Sequence, residues 1–311
     1  MSSRLALTCG DPAGVGPEII AAWLNQKTTD LSQISVIGPA TWLQSLPASV
    51  DKIPVGLPEY YATPGKPDPE GALLAWAAMS KAAEGCKNHT FGGVVTGPIS
   101  KEKLSAIGWK FPGQTEFFAD AWGGGDPTMA FSGGLMNVVL LSWHIPLKAV
   151  PNELTEENFT RAVQAAHYLV TALKTHHVEP RIGVCGLNPH AGEAGLMGNE
   201  EMQIINPILD KLRKKYPLLS KTEPADTLFA RHLRGEFDVI VALFHDQGLA
   251  PLKTVDFDQA VNVTLGLPFV RTSPDHGTAY AIAGKGIASA KSFGNAVTIA
   301  RSLLRFKEAS V

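Results

Sequence analysis

Three histidines stand at comparable places in this chain, each just after a short apolar run that reads as a buried strand. His144 follows "NVVLLSW", His190 lies in "NPHAGE" after "RIGVCGL", and His245 follows "DVIVALF". They are 46 and 55 residues apart, so no local spacing motif joins them; their equivalent position after strands does. In open parallel sheets ligands sit outside the carboxyl ends of the strands, where the loops converge and helix N-termini point at the same crevice. Imidazole nitrogens suit zinc and other first-row divalent ions, and three protein donors with one open position are the usual form of a catalytic metal site. A lone histidine at a strand end is more often a hydrogen-bonded structural residue, but three together point to a metal. Asp246, beside His245, can orient the imidazole; as a blander alternative it caps the helix that starts there.

Other polar residues gather after the same kind of run. "GDPAGVGPE" (10–18) has the look of an anion-binding turn leading into a helix, with Pro17 suited to its first turn. It lacks the third glycine of a dinucleotide fingerprint and the Gly-Lys-Ser/Thr ending of a P-loop, so a plain strand-to-helix turn explains it equally. Lys101 in "TGPISKEKL" is either placed over a crevice or solvated at a helix start. Arg271, after an apolar run, suits bidentate binding of a phosphate or carboxylate, and Lys253 offers a point charge. His276 and Gly277 are candidates to face a base or ribose. No Gly-x-Ser-x-Gly elbow or His-Glu-x-x-His pair is present.

The elements that must position these residues are short Val/Ile/Leu-rich runs separated by helical patterns. The runs are 4–9, 34–38, 92–97, 137–143, 181–187 and 238–244; the helical patterns include 69–86, 155–176 with Thr155 as N-cap, 199–216 and 292–306. The alternation predicts an α/β protein with a largely parallel sheet, and the Gly-rich stretch 119–143 predicts an antiparallel excursion. With no linker between halves, a two-domain division is expected to be discontinuous. The 311 residues are 45% hydrophobic and 18% charged with a formal charge of -2, which suits a globular protein with small-molecule partners rather than nucleic acid. No apolar run reaches membrane-spanning length and the first residues do not form a signal peptide, so a cytoplasmic protein is expected. Cys9, Cys86 and Cys185 form no CxxC pair and read as buried small hydrophobes.

Seven blocks in order, "GDPAGVGPE", "VVTGPISK", "FPGQTEFFA", "LNPHAGEAGLMGNEE", "PADTLF", "FHDQGLAPLK" and "VNVTLGLPFVRTSPDHGTA", closely resemble the 4-hydroxythreonine-4-phosphate dehydrogenases of pyridoxal phosphate biosynthesis. The resemblance runs from residue 5 to about residue 300. It implies a fold similar to isocitrate and isopropylmalate dehydrogenases, whose cofactor loop is echoed by "HGTAYAIAGKGIAS", with the active site in the cleft between two α/β subdomains. Laid on this chain, residues 1–110 with 258–311 would form the nucleotide-binding subdomain and 111–257 the metal, substrate and dimerisation subdomain.

The resemblance further implies a homodimer sharing its active site, NAD or NADP as oxidant, and one divalent ion (zinc, magnesium or cobalt). The ion would be held by His144, His190 and His245, the last from the partner chain. Gln114, Thr115, Lys253, Asn262 and Arg271 would contact a small phosphorylated hydroxy amino acid, and His276, Gly277 and Thr278 the cofactor. Lys253 and Asp246 are the candidates for direct roles in the chemistry. One departure stands out: the family's usual "GHTE" is "GQTE" here, and Gln114 can neither carry charge nor shuttle a proton. The expected reaction is oxidation of 4-phosphooxy-threonine and decarboxylation of the resulting β-keto acid to 3-amino-2-oxopropyl phosphate. The alternatives are a dehydrogenase of 4-phospho-threonate and, from another class, a metal-dependent hydrolase of a phosphorylated metabolite.

Overall fold

The structure, a computed structural model, describes residues 2–26, 30–174 and 179–309. In chain order its elements are β1 (Leu5–Thr8), α1 (Gly16–Leu24), β2 (Ile34–Pro39), α2 (Ala40–Gln44), β3 (Asp51–Val55), α3 (Pro69–Lys87), β4 (Gly93–Thr96), α4 (Lys101–Ala106) and α5 (Gln114–Ala121). They continue with β5 (Thr128–Ser132), β6 (Asn137–Leu140), α6 (Glu156–Leu173), β7 (Ile182–Cys185), α7 (Asn206–Leu212), β8 (Leu219–Glu223), α8 (Ala225–Leu233), β9 (Val239–Ala242) and α9 (His245–Asp256). The hairpin strands β10 (Val261–Leu265) and β11 (Val270–Pro274) and helix α10 (Lys291–Ala309) complete the set.

Two compact units result. The first comprises Met1–Pro127 and Val261–Val311. Its strands run in the order β3-β2-β1-β4-β11-β10, parallel except for β10, which pairs antiparallel with β11. The apolar runs fold as strands because both faces are covered: α3 packs on β1, β2 and β4, and α10 on β4, β10 and β11. The chain leaves β1 through Gly10, whose φ is +70° and where a Cβ would meet the Pro98 carbonyl oxygen at 2.3 Å. Only glycine fits that approach.

The second unit is Thr128–Ala260. Strands β5 and β6 form the expected antiparallel excursion, and β6-β9-β7-β8 run parallel. Helix α6 begins at Thr155 as expected, with the Thr155 hydroxyl accepting from the Asn158 N–H at 3.2 Å. Residues 175 and 176, the end of that helical pattern, lie outside the described residues. The pattern 199–216 is not one α-helix: a wide turn of π type over Glu201–Ile205 precedes α7, with Pro207 at the restart, where its missing N–H is harmless.

The expected boundary at residue 110 is corrected by about one helix. Residues 111–127 belong to the first unit because Phe117, Phe118 and Trp122 of the α5 region pack there with Trp109, Trp76 and Phe269. The rings of Trp109 and Phe117 stack at 4.9 Å, and those of Phe118 and Trp122 stand 4.8 Å apart. Gln114 and Thr115 therefore stand in the same unit as Arg271. All three cysteines are buried, and burial pushes the Cys9 and Cys86 thiols up to about 12, so they behave as apolar groups. Among the described residues no helix is long and apolar enough to cross a membrane.

His232 in α8 shows a histidine in a purely structural role. Its Nε2 accepts from the Asn137 N–H at 3.1 Å, which leaves the proton on Nδ1, donated to the Phe237 carbonyl at 2.8 Å. Burial lowers its pKa, the Phe237 bond and Asp238 opposing only in part. A proton therefore binds the unfolded chain first, at about 6.5, so the His232 contribution is whole above that pH and shrinks as pH falls toward the lower folded value. The thermal midpoint is expected to fall between pH 7 and 5, and by less in His232→Gln, whose amide can replace both bonds. Equal pH dependence in the two proteins would refute this.

Candidate active site

In the first unit the site grows from Arg271. The residue lies in β11, where its side chain is buried beneath the ends of neighbouring strands. Nη1 donates to Asn262 Oδ1 (3.0 Å) and Thr264 Oγ1 (3.1 Å), both on β10. Nη2 donates to Thr96 Oγ1 (3.1 Å) on β4, Gln114 Oε1 (3.2 Å) on α5 and Ser273 Oγ (2.9 Å). All five bonds end on neutral oxygens, and the buried Nε has no partner. Burial pushes the guanidinium down to about 10, Glu116 opposing, so it is still charged at neutral pH. A buried cation without a carboxylate partner is costly, and an anionic ligand is the chemistry that would compensate it.

The helix beside it suits the same ligand. Gly113, the residue before α5, offers no side-chain cap, so the first N–H groups of α5 lack an intrahelical partner and carry the positive end of the helix dipole. Thr115 is buried and shares a hydrogen bond of 3.2 Å with Thr264. Gln114 places its oxygen on Arg271 and donates its amide to the Gly97 carbonyl at 3.3 Å, spanning β4 and β11 without adding charge. The structure thus brings together Gln114, Thr115, Asn262 and Arg271, and adds Thr96, Thr264 and Ser273, which carry no motif in the sequence.

In the second unit the three histidines are placed differently from one another. His144 follows β6 in a left-handed conformation with φ 51°, its side chain exposed. His245 is not a strand residue: β9 ends at Ala242, and His245 opens α9. The rings of His144 and His245 in one chain stand 5.8 Å apart. Two imidazoles on one tetrahedral ion, with bonds of about 2.1 Å, would hold their ring centres about 5 Å apart, so this pair fits a shared ion. Placing His245 on the partner chain is not required to bring it to His144. His190 is not part of that pair, and among the described residues no group of three or more metal-ligating side chains is assembled within one chain.

Asp246 does not cap α9. Its Oδ1 lies 2.8 Å from His245 Nδ1, a contact that orients the ring. Lys253 lies seven residues further along α9, two turns and about 10 Å from Asp246 on the same helix face.

The loop that carries His190 is the most unusual backbone in the molecule. His190, Ala191, Gly192, Glu193 and Ala194 are all left-handed, with φ from 43° to 83°. Of seven described non-glycine residues with positive φ, five are His144 and members of this turn, and a sixth, Ala279, follows Thr278. Each such residue costs about 1–2 kcal/mol, a strain that persists only where surroundings impose it and that clusters at functional sites. The chain leading into this turn is held by Glu201, fully buried, whose Oε1 accepts the N–H groups of Leu187 (2.8 Å) and Asn188 (2.7 Å). Its Oε2 accepts from Asn188 Nδ2 at 3.0 Å. The His190 ring also contacts the Glu193 carboxylate.

The loop carrying His276, Gly277 and Thr278 lies in the first unit against the turn after β1. Val15 N–H donates to the Thr278 carbonyl (2.9 Å), and Tyr280 Oη donates to buried Asp11 at 2.6 Å. Burial, with Asp11 beside it, pushes the Tyr280 phenol up to about 12, so it stays a donor. Gly277 opens onto free space, with no atom within 4 Å of where a Cβ would be.

This α/β chain buries a guanidinium among neutral acceptors, a positive charge that an anion would compensate. Residues 8–300 match the family model described as pyridoxal phosphate biosynthetic protein PdxA, and the chain belongs to that family. It is 38% identical to the 4-hydroxythreonine-4-phosphate dehydrogenase of Ruegeria sp. (strain TM1040), covering 98% of each chain. It is 42% identical to that of Erythrobacter litoralis (strain HTCC2594), covering 91% of each. The crystal structure of 4-hydroxythreonine-4-phosphate dehydrogenase from Klebsiella pneumoniae superposes with a TM-score of 0.81 at 30% identity, covering 97% of this chain and 99% of that one.

Proposed function

We propose that this protein is a metal-dependent, NAD-linked dehydrogenase of 4-phosphooxy-threonine. The secondary alcohol gives up a hydride to the nicotinamide and its hydroxyl proton to a base; the resulting 2-amino-3-oxo-4-phosphooxybutanoate loses carbon dioxide, and the enolate left behind takes up one proton at the carbon that bore the carboxylate to give 3-amino-2-oxopropyl phosphate. The observation that carries the reading is Arg271, buried as a cation among five neutral acceptors, in a chain of this family. Arg271 binds an anionic end of the substrate, Thr115 and Asn262 fix its direction, and Gln114 holds the guanidinium plane. Lys253 supplies a second positive charge, and Asp246 keeps the His245 tautomer fixed.

His144, His190 and His245 are the proposed donors to a divalent ion of the zinc, magnesium or cobalt type, the set being completed in a homodimer. When bound, such an ion acidifies an alcohol and polarises a carbonyl. His276, Gly277 and Thr278 are the proposed edge of the NAD or NADP site.

The test is absorbance at the reduced-nicotinamide band with NAD, a divalent salt and 4-phosphooxy-threonine, run beside 4-phospho-threonate and a chelator. Chelator-sensitive reduction with the amino acid is expected. Reduction only with the threonate would tie Gln114 to a changed substrate, and phosphate release without reduction would move the chain to the hydrolases.

A further inference from the structure

Gln247 is the third residue of α9 and touches neither the His144–His245 ring pair nor the Arg271 pocket in any hydrogen bond. Its side-chain amide is used on both ends by backbone. Oε1 accepts the Leu243 N–H at 2.7 Å, and Nε2 donates to the Gly186 carbonyl at 2.8 Å. Leu243 lies between the end of β9 and His245, and Gly186 lies between the end of β7 and His190. One amide therefore staples the turn that presents His245 to the loop that presents His190.

Neither bond has a substitute on these elements. Strand β9 pairs with β7 only through Val239, Ile240 and Val241, so the ladder stops short of Leu243. The loop after β7 is held on its other side by the Gly186 N–H, which donates to the Glu223 carbonyl at 2.9 Å, and by Glu201. Those contacts hold the start of the His190 loop from the β8 side, while Gln247 ties it to the His245 turn. We propose that Gln247 is a positioning residue for metal capture, fixing how each chain presents its His245 turn and its His190 loop to the divalent ions of the homodimer. The inference rests on the proposed metal role of these histidines.

Only glutamine meets the requirement at this length, because one end must accept and the other must donate. Glutamate keeps the acceptor for Leu243 and sets a carboxylate against the Gly186 carbonyl. Methionine keeps the bulk and loses both bonds. Partners that orient ligating groups typically change metal affinity by about 10- to 100-fold when removed.

The experiment measures zinc and cobalt binding by titration calorimetry on the full-length protein, Gln247→Glu, Gln247→Met and His190→Ala, beside amide hydrogen exchange of the metal-free proteins. The expected result is an affinity about 10- to 100-fold weaker in both Gln247 variants, with thermal midpoints within a few degrees of the parent. Exchange should rise over 187–194 in both, while the Leu243 amide stays protected in Gln247→Glu and is released in Gln247→Met. Parent-like metal affinity in both Gln247 variants, with His190→Ala weakened, overturns the positioning role and leaves the metal reading standing. Equal binding by the parent and His190→Ala overturns the metal reading, and this inference with it.

Discussion

Arg271→Met should lower kcat/KM sharply and lower the stability of the ligand-free protein as well. Removing one partner of a buried, hydrogen-bonded charge pair costs about 2–5 kcal/mol of binding, a loss of about 30- to 5,000-fold in kcat/KM. Without the ligand the guanidinium is an ion out of water with only neutral acceptors and a bare Nε, a penalty of several kcal/mol that methionine removes. Against that stand five hydrogen bonds from a charged donor, about 1.5–3 kcal/mol each, so their loss outweighs the relief. Thermal melts should therefore show a lower midpoint for the ligand-free variant, and a rise on adding phosphorylated substrate only for the parent. Arg271→Lys should recover little, since a compact ammonium with three donors cannot serve acceptors spread over β4, β10, β11 and α5. A collapsed midpoint combined with parent-like substrate affinity would make Arg271 a structural residue.

The buried strands β1, β2, β4, β6, β7 and β9 were legible because burial on both faces leaves a plain mark, a run of Val, Ile and Leu; buried β10 and β11 were not, since polar residues interrupt "VNVTL" and "VRTSP". Strands β3 and β8 were not, because they sit at the two ends of the pairing order and leave exposed residues along "DKIPV" and "LSKTE". Strands also proved shorter than the apolar runs: "DVIVALF" continues past β9 through Leu243 and Phe244, which lead into α9. Hydrophobicity reports burial, and a buried turn is as apolar as a buried strand.

The site was legible to the extent that its chemistry uses rare side chains. Histidines after strands and an arginine after an apolar run were visible from type and place. Thr96, Thr264 and Ser273 were not, since a hydroxyl in a strand signals nothing until the fold shows what it faces. Glu201 was hidden in a helical pattern as one of two adjacent glutamates, and only its full burial separates it from half-buried Glu200. The left-handed turn at His190 had one local sign, the glycines flanking "NPHAGEAG", and they do not reveal that four non-glycine residues share the conformation.

That conformation makes a second large effect testable at His190. Glycine adopts φ near 52° at no steric cost, whereas histidine there is strained by about 1–2 kcal/mol. His190→Gly should therefore melt at or above the parent's midpoint in the absence of metal, the relief being offset in part by glycine's greater entropy when unfolded. The same substitution removes one of three proposed donors and should weaken metal binding by more than the roughly 100-fold ascribed to groups that only orient a ligand. Turnover at fixed metal should fall with it. Stability preserved while metal uptake and turnover vanish is the signature of a residue kept in a costly conformation for its chemistry. Loss of stability with metal affinity retained would instead make His190 a scaffold residue and transfer the proposed site to other donors. His190→Ala separates the two contributions, because alanine removes the imidazole but keeps a Cβ in the left-handed region: it should lose metal as fully as glycine does and melt below it.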